Sequence, residues 1–464
     1  MNNLLSIIHG ICFIILIYFT ILWSGYLIFL LCTFKTIIRK YYEAKFNDIM
    51  GNVQHQFMVP ITIIIPAYNE LLRIENVITA ILNTRYPNIH IVIVNDGSID
   101  TMLQFLIDKY QLVQIPAAFN MSLVTARVNA YYESKIIKNF RVVDKEHSPF
   151  LNSGADSINA GLNICCTPIY LTVDADTILE PDALSQILFV YLTNPHCIAV
   201  GGAIYVPDPA KIQNGKITST NIPLNFILGV QVVEYLRSFL YGREGWSLFG
   251  GVFCHPGAFS LLETEVVKQV GGYDAYNFSY DAEIIIKLHQ YMLQKHYPYS
   301  VVYAPSAISW SEEPRTIRGL WRQRSYWQRG LLRCIALHKQ MIFNPRYGIT
   351  GLFAFPIFIL FEILGPIIES FSYIMVLILF GLNLLHYVNM MWLVFLAWGY
   401  MMSITMLCML LSMITYNQYY RKMDIVHFFV LTTIDMLFYR QLRAFCALYA
   451  FGKYLLNRLR GKPI

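Results

Sequence analysis

The chain of 464 residues is 56% hydrophobic and only 14% charged, whereas soluble proteins are on average about 25% charged. Together with a mean hydropathy of +0.46, this composition predicts that part of the chain lies in lipid. The net charge of +6 fits the basic cytoplasmic edges of a membrane protein better than it fits a nucleic-acid-binding protein. Nine cysteines without a CxxC pair argue against a zinc site or a disulfide framework, and we expect reduced, structural thiols.

The N-terminal apolar run covers residues 4–34 and is longer than the roughly 20 residues that one membrane span needs. It predicts either one long tilted helix or a helix with an interfacial start. A signal peptide fits poorly because no basic segment precedes the run. Lys35, Arg39, Lys40 and Lys45 follow it, and the positive-inside rule therefore places this end in the cytoplasm and the N-terminus outside.

Polar character returns over residues 46–346, which we predict to form a soluble domain after an N-terminal transmembrane segment at 1–45. Its continuous apolar runs, rich in β-branched residues, are typical of strands buried on both faces of a parallel sheet. In chain order the sequence predicts a strand at 61–65, a helix from about Glu70, a strand at 89–94, a helix at 157–164 and a strand at 168–173. This alternation predicts an α/β domain with a mainly parallel sheet.

Polar clusters follow three of these strands, namely "PAYNE" (66–70), "NDGS" (95–98) and "DAD" (174–176). Because ligands bind at the carboxyl ends of strands in such sheets, we expect the clusters to converge on one crevice. Asp96 could accept hydrogen bonds from a base or ribose, or it could form an Asx-turn in its loop. For Glu70, capping of the following helix is the simpler interpretation.

Asp174 and Asp176 are separated by a single residue at the end of an apolar strand. Two carboxylates this close need a counter-charge. Mg²⁺ or Mn²⁺, which bind carboxylates together with phosphate oxygens, would supply it. The alternative is that the two acids only form the turn after the strand.

A series of motifs extends from about residue 58 to residue 345. It comprises "TIIIPAYNE", "IVIVNDGSID", "LTVDADTILEPDAL", "VVEYLRSFL", "HPGAF", "VGGYD", "YDAEIIIKLH" and "RQRSYWQRGLL". These motifs resemble those of the family 2 glycosyltransferases of the GT-A fold, in the membrane-bound, synthase-like branch that includes cellulose, hyaluronan and poly-N-acetylglucosamine synthases. The resemblance implies a GT-A-like nucleotide-sugar-binding domain with transmembrane helices on its N- and C-terminal sides.

The resemblance also implies a role for each motif. Asp281 in "YDAE" would be the general base that deprotonates the acceptor hydroxyl, although its place before a helical run also fits a helix N-cap. Asp174 and Asp176 would hold the diphosphate through Mg²⁺ or Mn²⁺. The donor would be bound by Pro66, Tyr68, Glu70, Asp96 and Asp174, and the acceptor and diphosphate region would be lined by Gln323, Arg324 and Trp327.

Three positions depart from the family pattern. Gly154 stands where a Lys is usual, Tyr280 replaces the usual Glu before the catalytic Asp, and Tyr326 replaces the Arg of the QxxRW pattern. Two cations and one acid are therefore missing from the expected site. The candidates to supply the missing positive charge are Arg324, Arg329 and Lys145.

A second apolar region covers residues 347–464 and predicts membrane or interfacial helices. One stretch, 349–385, is broken by Gly365-Pro366, and another covers 389–415. The last stretch, 425–456, carries three charges, too many for a plain span, so we expect an interfacial helix or a re-entrant hairpin. These charges are Asp435, Arg440 and Arg443.

The segment "WRQRSYWQRGLLR" (321–333) combines aromatic and basic residues just before the second apolar region. This combination is typical of a helix anchored at a membrane surface in contact with lipids. We expect the segment to lie on the membrane and to close the active site as well.

Together these features predict an inverting, multi-pass glycosyltransferase of the plasma (inner) membrane with its catalytic domain in the cytoplasm. It would transfer a sugar from a UDP-sugar, most plausibly UDP-GlcNAc or UDP-glucose, to a polysaccharide or lipid-linked acceptor. An enzyme that modifies a polyprenyl phosphate or glycolipid once is the nearest alternative. Because only about three spans are clear, either polymer export needs a homo-oligomer or an export partner, or the product is short.

Two alternatives belong to other functional classes. The motif losses would suit a non-catalytic sugar-nucleotide-binding subunit of a synthase complex, but Asp281 and both acids of "DAD" are retained. A transporter fits less well, because the polar residues lie in the soluble domain rather than at membrane depth.

Overall fold

The computed structural model of the protein describes residues 2–50, 59–116, 119, 121–208, 211–384, 387–416, 419 and 422–460. The chain begins with a single long helix, α1 (Asn2–Met50). Within it, Phe13–Arg39 is long and apolar enough to cross a membrane. The prediction of one long apolar helix at the N-terminus is therefore confirmed.

A ten-stranded mixed sheet forms the centre of the following domain, in the order β3-β4-β5-β2-β1-β6-β11-β8-β12-β7. The four central strands β5, β2, β1 and β6 are parallel to one another, and antiparallel pairs flank them on both sides. Its strands are β1 (Ile61–Ala67), β2 (Ile89–Asp96), β3 (Leu112–Ile115), β4 (Val128–Ser134), β5 (Phe140–Lys145), β6 (Ile169–Val173), β7 (Thr177–Leu179), β8 (Cys197–Tyr205), β11 (Phe259–Glu263) and β12 (Ser300–Ser311), while β9 (Ile212–Gln213) and β10 (Lys216–Ile217) pair with each other.

The three strands predicted from apolar runs are β1, β2 and β6, and they are neighbours in the sheet. Ile63 of β1 is in register with Ile91 of β2 and with Leu171 of β6. Their carboxyl ends therefore lie side by side, as expected for parallel strands. This arrangement brings the loops after the three strands to one edge of the sheet.

Helices cover both faces of the sheet, because alternate side chains of the central strands point to opposite sides. Ile63 and Ile65 pack in one hydrophobic cluster and Ile64 in the other. The first face is covered by α2 (Ile74–Leu82), α3 (Met102–Tyr110) and α5 (Ala183–Thr193), and the second by α4 (Ser153–Ile164) and α9 (Tyr280–Lys295). The helix predicted from about Glu70 is α2, which begins only after a turn.

Helix α4 approaches β1 closely because it carries Gly161. A Cβ at this position would lie 2.6 Å from Ile64 Cγ2, closer than van der Waals contact permits. The helix begins four residues before the predicted start, and the Asn152 side chain caps it by accepting a hydrogen bond of 3.1 Å from the Ala155 amide.

The second half of the domain is mainly helical. Its longest helix, α10, contains the segment predicted to lie on the membrane surface and packs against α9. The helices are α6 (Phe226–Tyr235), which continues through a π-helical segment (Leu236–Arg243) into α7 (Glu244–Leu248), then α8 (Thr264–Gln269) and α10 (Ile317–His338).

The C-terminal region contains two further helices that are long and apolar enough to cross a membrane, Met390–Thr415 and Met423–Leu459. A bent pair, Thr350–Ile363 and Gly365–Gly381, meets at 45° and would count as one more span if taken together. The predicted break at Gly365-Pro366 is confirmed. The elements are α11 (Phe355–Phe358) between two π-helical turns, α12 (Gly365–Gly381), α13 (Tyr387–Tyr416), α14 (Lys422–Ile434) and, after a π-helical turn (Asp435–Tyr439), α15 (Arg440–Leu459).

Of the two alternatives predicted for 425–456, the re-entrant hairpin is wrong, because Met423–Leu459 is one continuous helix, and the interfacial helix stays a prediction. The three charges that suggested the hairpin are each paired with a distant partner. Arg237 donates to Asp435 at 2.6 Å and Arg443 to Glu234 at 2.9 Å, while Arg440 pairs with Glu369. Pairing with a partner removes most of the penalty of burying an isolated charge.

Candidate active site

A cavity of about 650 Å³ opens at the carboxyl edge of the sheet. Its walls come from the loop after β6, the first turns of α4 and α9, and one side of α10. It also extends to the π-helical segment before α7 and to residues of the C-terminal helices, including Met401 and Arg443. The polar end of β6 and the apolar C-terminal region therefore share one cavity, whereas no described residue of "PAYNE" or "NDGS" lines it, so the expected convergence of all three clusters on one crevice is not seen.

Asp174 and Asp176 both line this cavity. The Asp174 carbonyl accepts a hydrogen bond of 3.0 Å from the Thr177 amide, so the pair does form the turn between β6 and β7. Burial, reinforced by the negative charges of Asp281 and Glu313, raises the pKa of Asp174 to about 7. Burial and the neighbouring Asp174 raise the pKa of Asp176 as well. Two carboxylates under this repulsion provide the oxygen ligands that a divalent cation favours.

The described residues contain no group of three or more His, Cys, Asp and Glu side chains arranged to hold a metal. A cation at Asp174 and Asp176 would therefore complete its coordination with phosphate oxygens and water, as Mg²⁺ usually does. The donor set consequently fits an ion that arrives with a nucleotide rather than one held by the protein alone.

Asp281 lines the same cavity from the first turn of α9. The alternative that it is the N-cap of this helix is wrong, because Ser279 occupies that position. Burial raises the pKa of the Asp281 carboxyl, and the Arg243 guanidinium acts in the opposite direction. A carboxylate with a raised pKa, facing a cavity, is suited to accept a proton.

The three departures from the family pattern lie together in this cavity. A Cβ on Gly154 would lie 2.6 Å from the Tyr280 hydroxyl oxygen. Tyr326 accepts a hydrogen bond of 2.8 Å from the Asn152 side chain and packs on the Phe278 ring at 4.5 Å. Gly154 and Tyr280 thus lie against each other, while Tyr326 lines the same cavity through its contacts with Asn152 and Phe278.

Asp96 lies elsewhere, buried to 1% exposure at the end of β2. Its carboxylate contacts Lys145 and His147, with Oδ2 lying 2.7 Å from His147 Nδ1. The Asx-turn interpretation of Asp96 is wrong, because Asn95 Oδ1 accepts the 3.3 Å hydrogen bond from the Ser98 amide in that loop. Contact between Asp96 and a nucleotide stays a prediction.

The "PAYNE" loop is joined to the loop after β2. Asn69 adopts a left-handed conformation, with φ of 57°, and its Oδ1 accepts a 2.9 Å hydrogen bond from the Ile99 amide. Tyr68 packs face to face on the His147 ring at 4.6 Å. Tyr68 and His147 are both partly exposed here, and Pro66 lies half-buried at the end of β1.

Glu70 does not cap α2 through its side chain. The N-cap position is Arg73, where no side chain accepts a hydrogen bond. Glu70 instead pairs with Arg73 at 2.9 Å, and Arg73 reaches Glu312 at 3.2 Å. The interpretation of Glu70 as a helix cap is therefore wrong, and its predicted role in donor binding stays a prediction.

Gln323, Arg324 and Trp327 of α10 line the cavity as a group. Arg324 donates to Glu234 at 2.7 Å and lies over the Trp327 ring at 4.3 Å. Gln323 donates to Glu313 at 3.0 Å. Part of the segment predicted to close the site therefore does face it.

The three candidates for the missing positive charge differ in position. Lys145 is buried at 0% exposure between Asp96 and Asp156, so its charge is already compensated. Arg329 packs over Phe278 and is not part of the cavity wall. Arg324 lines the cavity but is paired with Glu234.

Arg243 is a cavity residue that the sequence analysis missed. Its guanidinium packs over the Phe239 ring at 4.6 Å, and Nη2 lies 3.7 Å from Cys254 Sγ. Within the described part of the chain, Nε has no hydrogen-bond partner. Arg243 ends the π-helical segment, whose irregular periodicity hides it in the sequence.

Comparison with known proteins agrees with this geometry. A family profile described as "Glycosyltransferase like family 2" matches residues 59–330. The chain belongs to this glycosyltransferase family. The predicted GT-A-like fold and glycosyltransferase class are confirmed.

This glycosyltransferase is similar to the poly-β-1,6-N-acetyl-D-glucosamine synthase of Staphylococcus epidermidis, with 27% identity over 290 residues, 62% of this chain and 58% of the relative. The synthase of Staphylococcus aureus strain COL is 26% identical over 270 residues, 58% of this chain and 54% of the relative. The chain thus spans less than two thirds of the length of these relatives. A solved mannosyltransferase of Pyrobaculum calidifontis, in complex with GDP-Man and Mn²⁺, aligns with a TM-score of 0.49, 15% identity and coverage of 90% of this chain and 99% of that chain.

Proposed function

We propose that this protein is an inverting, membrane-bound glycosyltransferase that moves a sugar from a UDP-sugar to a polysaccharide or lipid-linked acceptor. The observation that carries the proposal is the single cavity shared by Asp174, Asp176 and Asp281. The curated relatives are poly-β-1,6-N-acetyl-D-glucosamine synthases, so UDP-GlcNAc is the first donor to test and UDP-glucose the second.

Mg²⁺ or Mn²⁺ at Asp174 and Asp176 would neutralise the negative charge of the departing diphosphate. The raised pKa of both acids supports this role, because a cation relieves the repulsion that causes the shift. Through this cation the two carboxylates would hold the diphosphate end of the donor, and the transferred sugar would lie on the side of Asp281, which lines the same cavity.

Asp281 would take the proton from the attacking acceptor hydroxyl. Burial raises its pKa, which brings the carboxyl closer to the pH at which a general base works best. A single displacement at the anomeric carbon inverts its configuration, so an α-linked donor gives a β-linked product.

The acceptor side of the cavity supports a substrate that comes from the membrane. Arg237, Arg440 and Arg443 line it together with apolar residues of α13. A lipid-linked or polymeric acceptor would enter between these helices. The catalytic domain would then lie at the cytoplasmic face of the plasma (inner) membrane, where nucleotide sugars are available.

The non-catalytic alternative receives less support, because the acids needed for chemistry are retained and lie in one cavity. Release of UDP from UDP-GlcNAc and UDP-glucose should be measured for the protein in nanodiscs, with Mn²⁺, with Mg²⁺ and with EDTA. We expect turnover with one donor that is lost in EDTA and in Asp281→Asn. Asp182→Asn is the matched control, since Asp182 forms an exposed ion pair with Arg85 outside the cavity. Metal-dependent binding without turnover under any acceptor would reject the enzymatic proposal.

A further inference from the structure

The Tyr280 side chain is held rigidly at the cavity wall. Its ring packs edge-to-face on Tyr273 at 5.9 Å, and the Tyr273 hydroxyl is itself fixed by a hydrogen bond of 2.9 Å with Tyr170. Within the described residues, the Tyr280 hydroxyl has no hydrogen-bond partner, although the residue lines the cavity. A buried phenol usually finds such a partner. A fixed, unpaired hydroxyl in a cavity is therefore available to a ligand.

Gly154 provides the space for this ring. A Cβ on Gly154 would lie 2.6 Å from the Tyr280 hydroxyl oxygen and 2.9 Å from Cε1 and Cζ. Gly154 does not have a positive φ, so its backbone suits any residue. Alanine would even favour helix α4. The glycine is thus required by the position of Tyr280 and not by the backbone.

The Tyr280 hydroxyl lies close to Asp281, and Tyr280 lines the same cavity as Asp174. A Cβ built on Gly257 would lie 3.6 Å from the Tyr280 hydroxyl oxygen and 3.7 Å from Asp281 Oδ2, so the two groups converge on one place. The negative charges of Asp174 and Asp281 both act on this phenol and, with burial, raise its pKa. The group is neutral and can donate and accept hydrogen bonds.

We propose that the Tyr280 hydroxyl binds the transferred sugar of the donor and that the glycine at position 154 makes room for the Tyr280 ring. This inference rests on the proposed function. On that function the transferred sugar lies between the diphosphate at Asp174 and the acceptor hydroxyl at Asp281, and a hydroxyl beside Asp281 in the same cavity is in a position to contact it. Tyr280 is then a specificity-determining residue that reads a sugar hydroxyl or amide and does not touch the nucleotide.

The first test compares UDP with UDP-GlcNAc for the wild type and Tyr280→Phe. Loss of one neutral hydrogen bond should raise the KM or Kd for UDP-GlcNAc roughly 2- to 10-fold, while the Ki or Kd for UDP stays unchanged. If Tyr280 had a purely structural role, Tyr280→Phe would change the affinities for UDP and UDP-GlcNAc equally. Tyr276→Phe is the matched control, because Tyr276 is 62% exposed in the preceding loop.

The second test uses the contact between Gly154 and Tyr280. Gly154→Ala should weaken UDP-GlcNAc binding at least as much as Tyr280→Phe, again without affecting UDP. In a Tyr280→Ala background the same alanine should have no further effect, because the ring that it displaces is gone. Melting temperatures measured for each variant identify any that fail to fold.

The outcomes separate this inference from the proposed function. If the wild type turns over no donor, calorimetry can still measure whether a variant changes the affinity for UDP-GlcNAc without changing the affinity for UDP. Three results would overturn the inference while leaving the transferase proposal intact. The first is an equal change in affinity for UDP and UDP-GlcNAc, and the second is an unchanged affinity in Tyr280→Phe. The third is that the effects of Gly154→Ala and Tyr280→Ala on UDP-GlcNAc affinity are additive. Failure of the wild type to bind either ligand would overturn both.

Discussion

Glu234 connects the catalytic domain to the C-terminal helices, and its removal gives the sharpest structural prediction. Its two carboxylate oxygens accept from Arg324 of α10 at 2.7 Å and from Arg443 of α15 at 2.9 Å, and the Tyr439 hydroxyl also donates to it. Glu234 is 7% exposed. Although burial alone raises its pKa, the two arginines lower it to about 2.

Glu234→Gln removes the charge and leaves the buried Arg324 guanidinium and the partly exposed Arg443 guanidinium without the carboxylate that they share. Within the described residues, Nε and Nη1 of Arg324 have no other hydrogen-bond partner. Breaking a buried ion pair by removing one partner costs about 3–5 kcal/mol, and we expect a loss of free energy of unfolding in this range. Glu75→Gln, which breaks an exposed pair with Lys109, should cost at most about 1 kcal/mol.

The measurement is denaturant unfolding of the protein in one detergent, with both variants compared at pH 6 to 8. The folded pKa of Glu234 lies below the unfolded value, so its contribution is fully present above about pH 4.3. This contribution is lost as the pH falls towards about 2, and the cost of Glu234→Gln should therefore be constant at neutral pH. Equal destabilisation by the two variants, or a cost that changes between pH 6 and 8, would refute the reasoning.

Three further predictions follow from other contacts. Asp174→Asn should lower metal-stimulated UDP release roughly 100-fold or more, because it removes a fixed charge at the departing diphosphate; initial rates against Mn²⁺ concentration measure this. Gly161→Ala should destabilise the protein by about 1–3 kcal/mol through overpacking against Ile64, which a thermal melt detects. Lys145→Met should cost about 3–5 kcal/mol, because it leaves two buried aspartates without their shared cation, and denaturant unfolding measures the loss.

Each of these predictions can fail in a defined way. If Asp174→Asn releases UDP at the wild-type rate, the Asp174 carboxylate is not needed to bind the metal ion. An unchanged melting temperature in Gly161→Ala would mean that α4 moves away from β1 at little cost. A Lys145→Met protein as stable as the wild type would mean that the two aspartates bind protons when the lysine is removed.

The part of the fold that the sequence predicts is the part encoded locally. Unbroken β-branched runs identify β1, β2 and β6, because the side chains on both faces of a fully buried strand are apolar. The acids that follow β6 stand out because an apolar strand rarely ends in paired charge. Asp174 and Asp176 could therefore be selected from this local pattern, whereas Asp281 was selected only because "YDAE" resembles the family motif.

The features that sequence reasoning missed depend on contacts between distant parts of the chain. Asp96 is enclosed by Lys145 at the end of β5 and by His147 in the loop that follows, about 50 residues away in the sequence. The charges of α15 seemed too many for a spanning helix because their partners, such as Glu234, lie some 200 residues earlier. Spacing within a segment carries no information about such partners.

The cavity wall has a consequence for how the protein can be divided. Residues as far apart as Asp174 and Arg443 enclose the same space, and Glu234 joins the domain to the last helix. A soluble fragment ending near residue 346 would lose part of the wall and one of the two arginines that pair with Glu234, namely Arg443. The domain is therefore not expected to keep the complete cavity when it is separated from the C-terminal helices. Exchange of these helices between homologues would change the wall of the proposed active site.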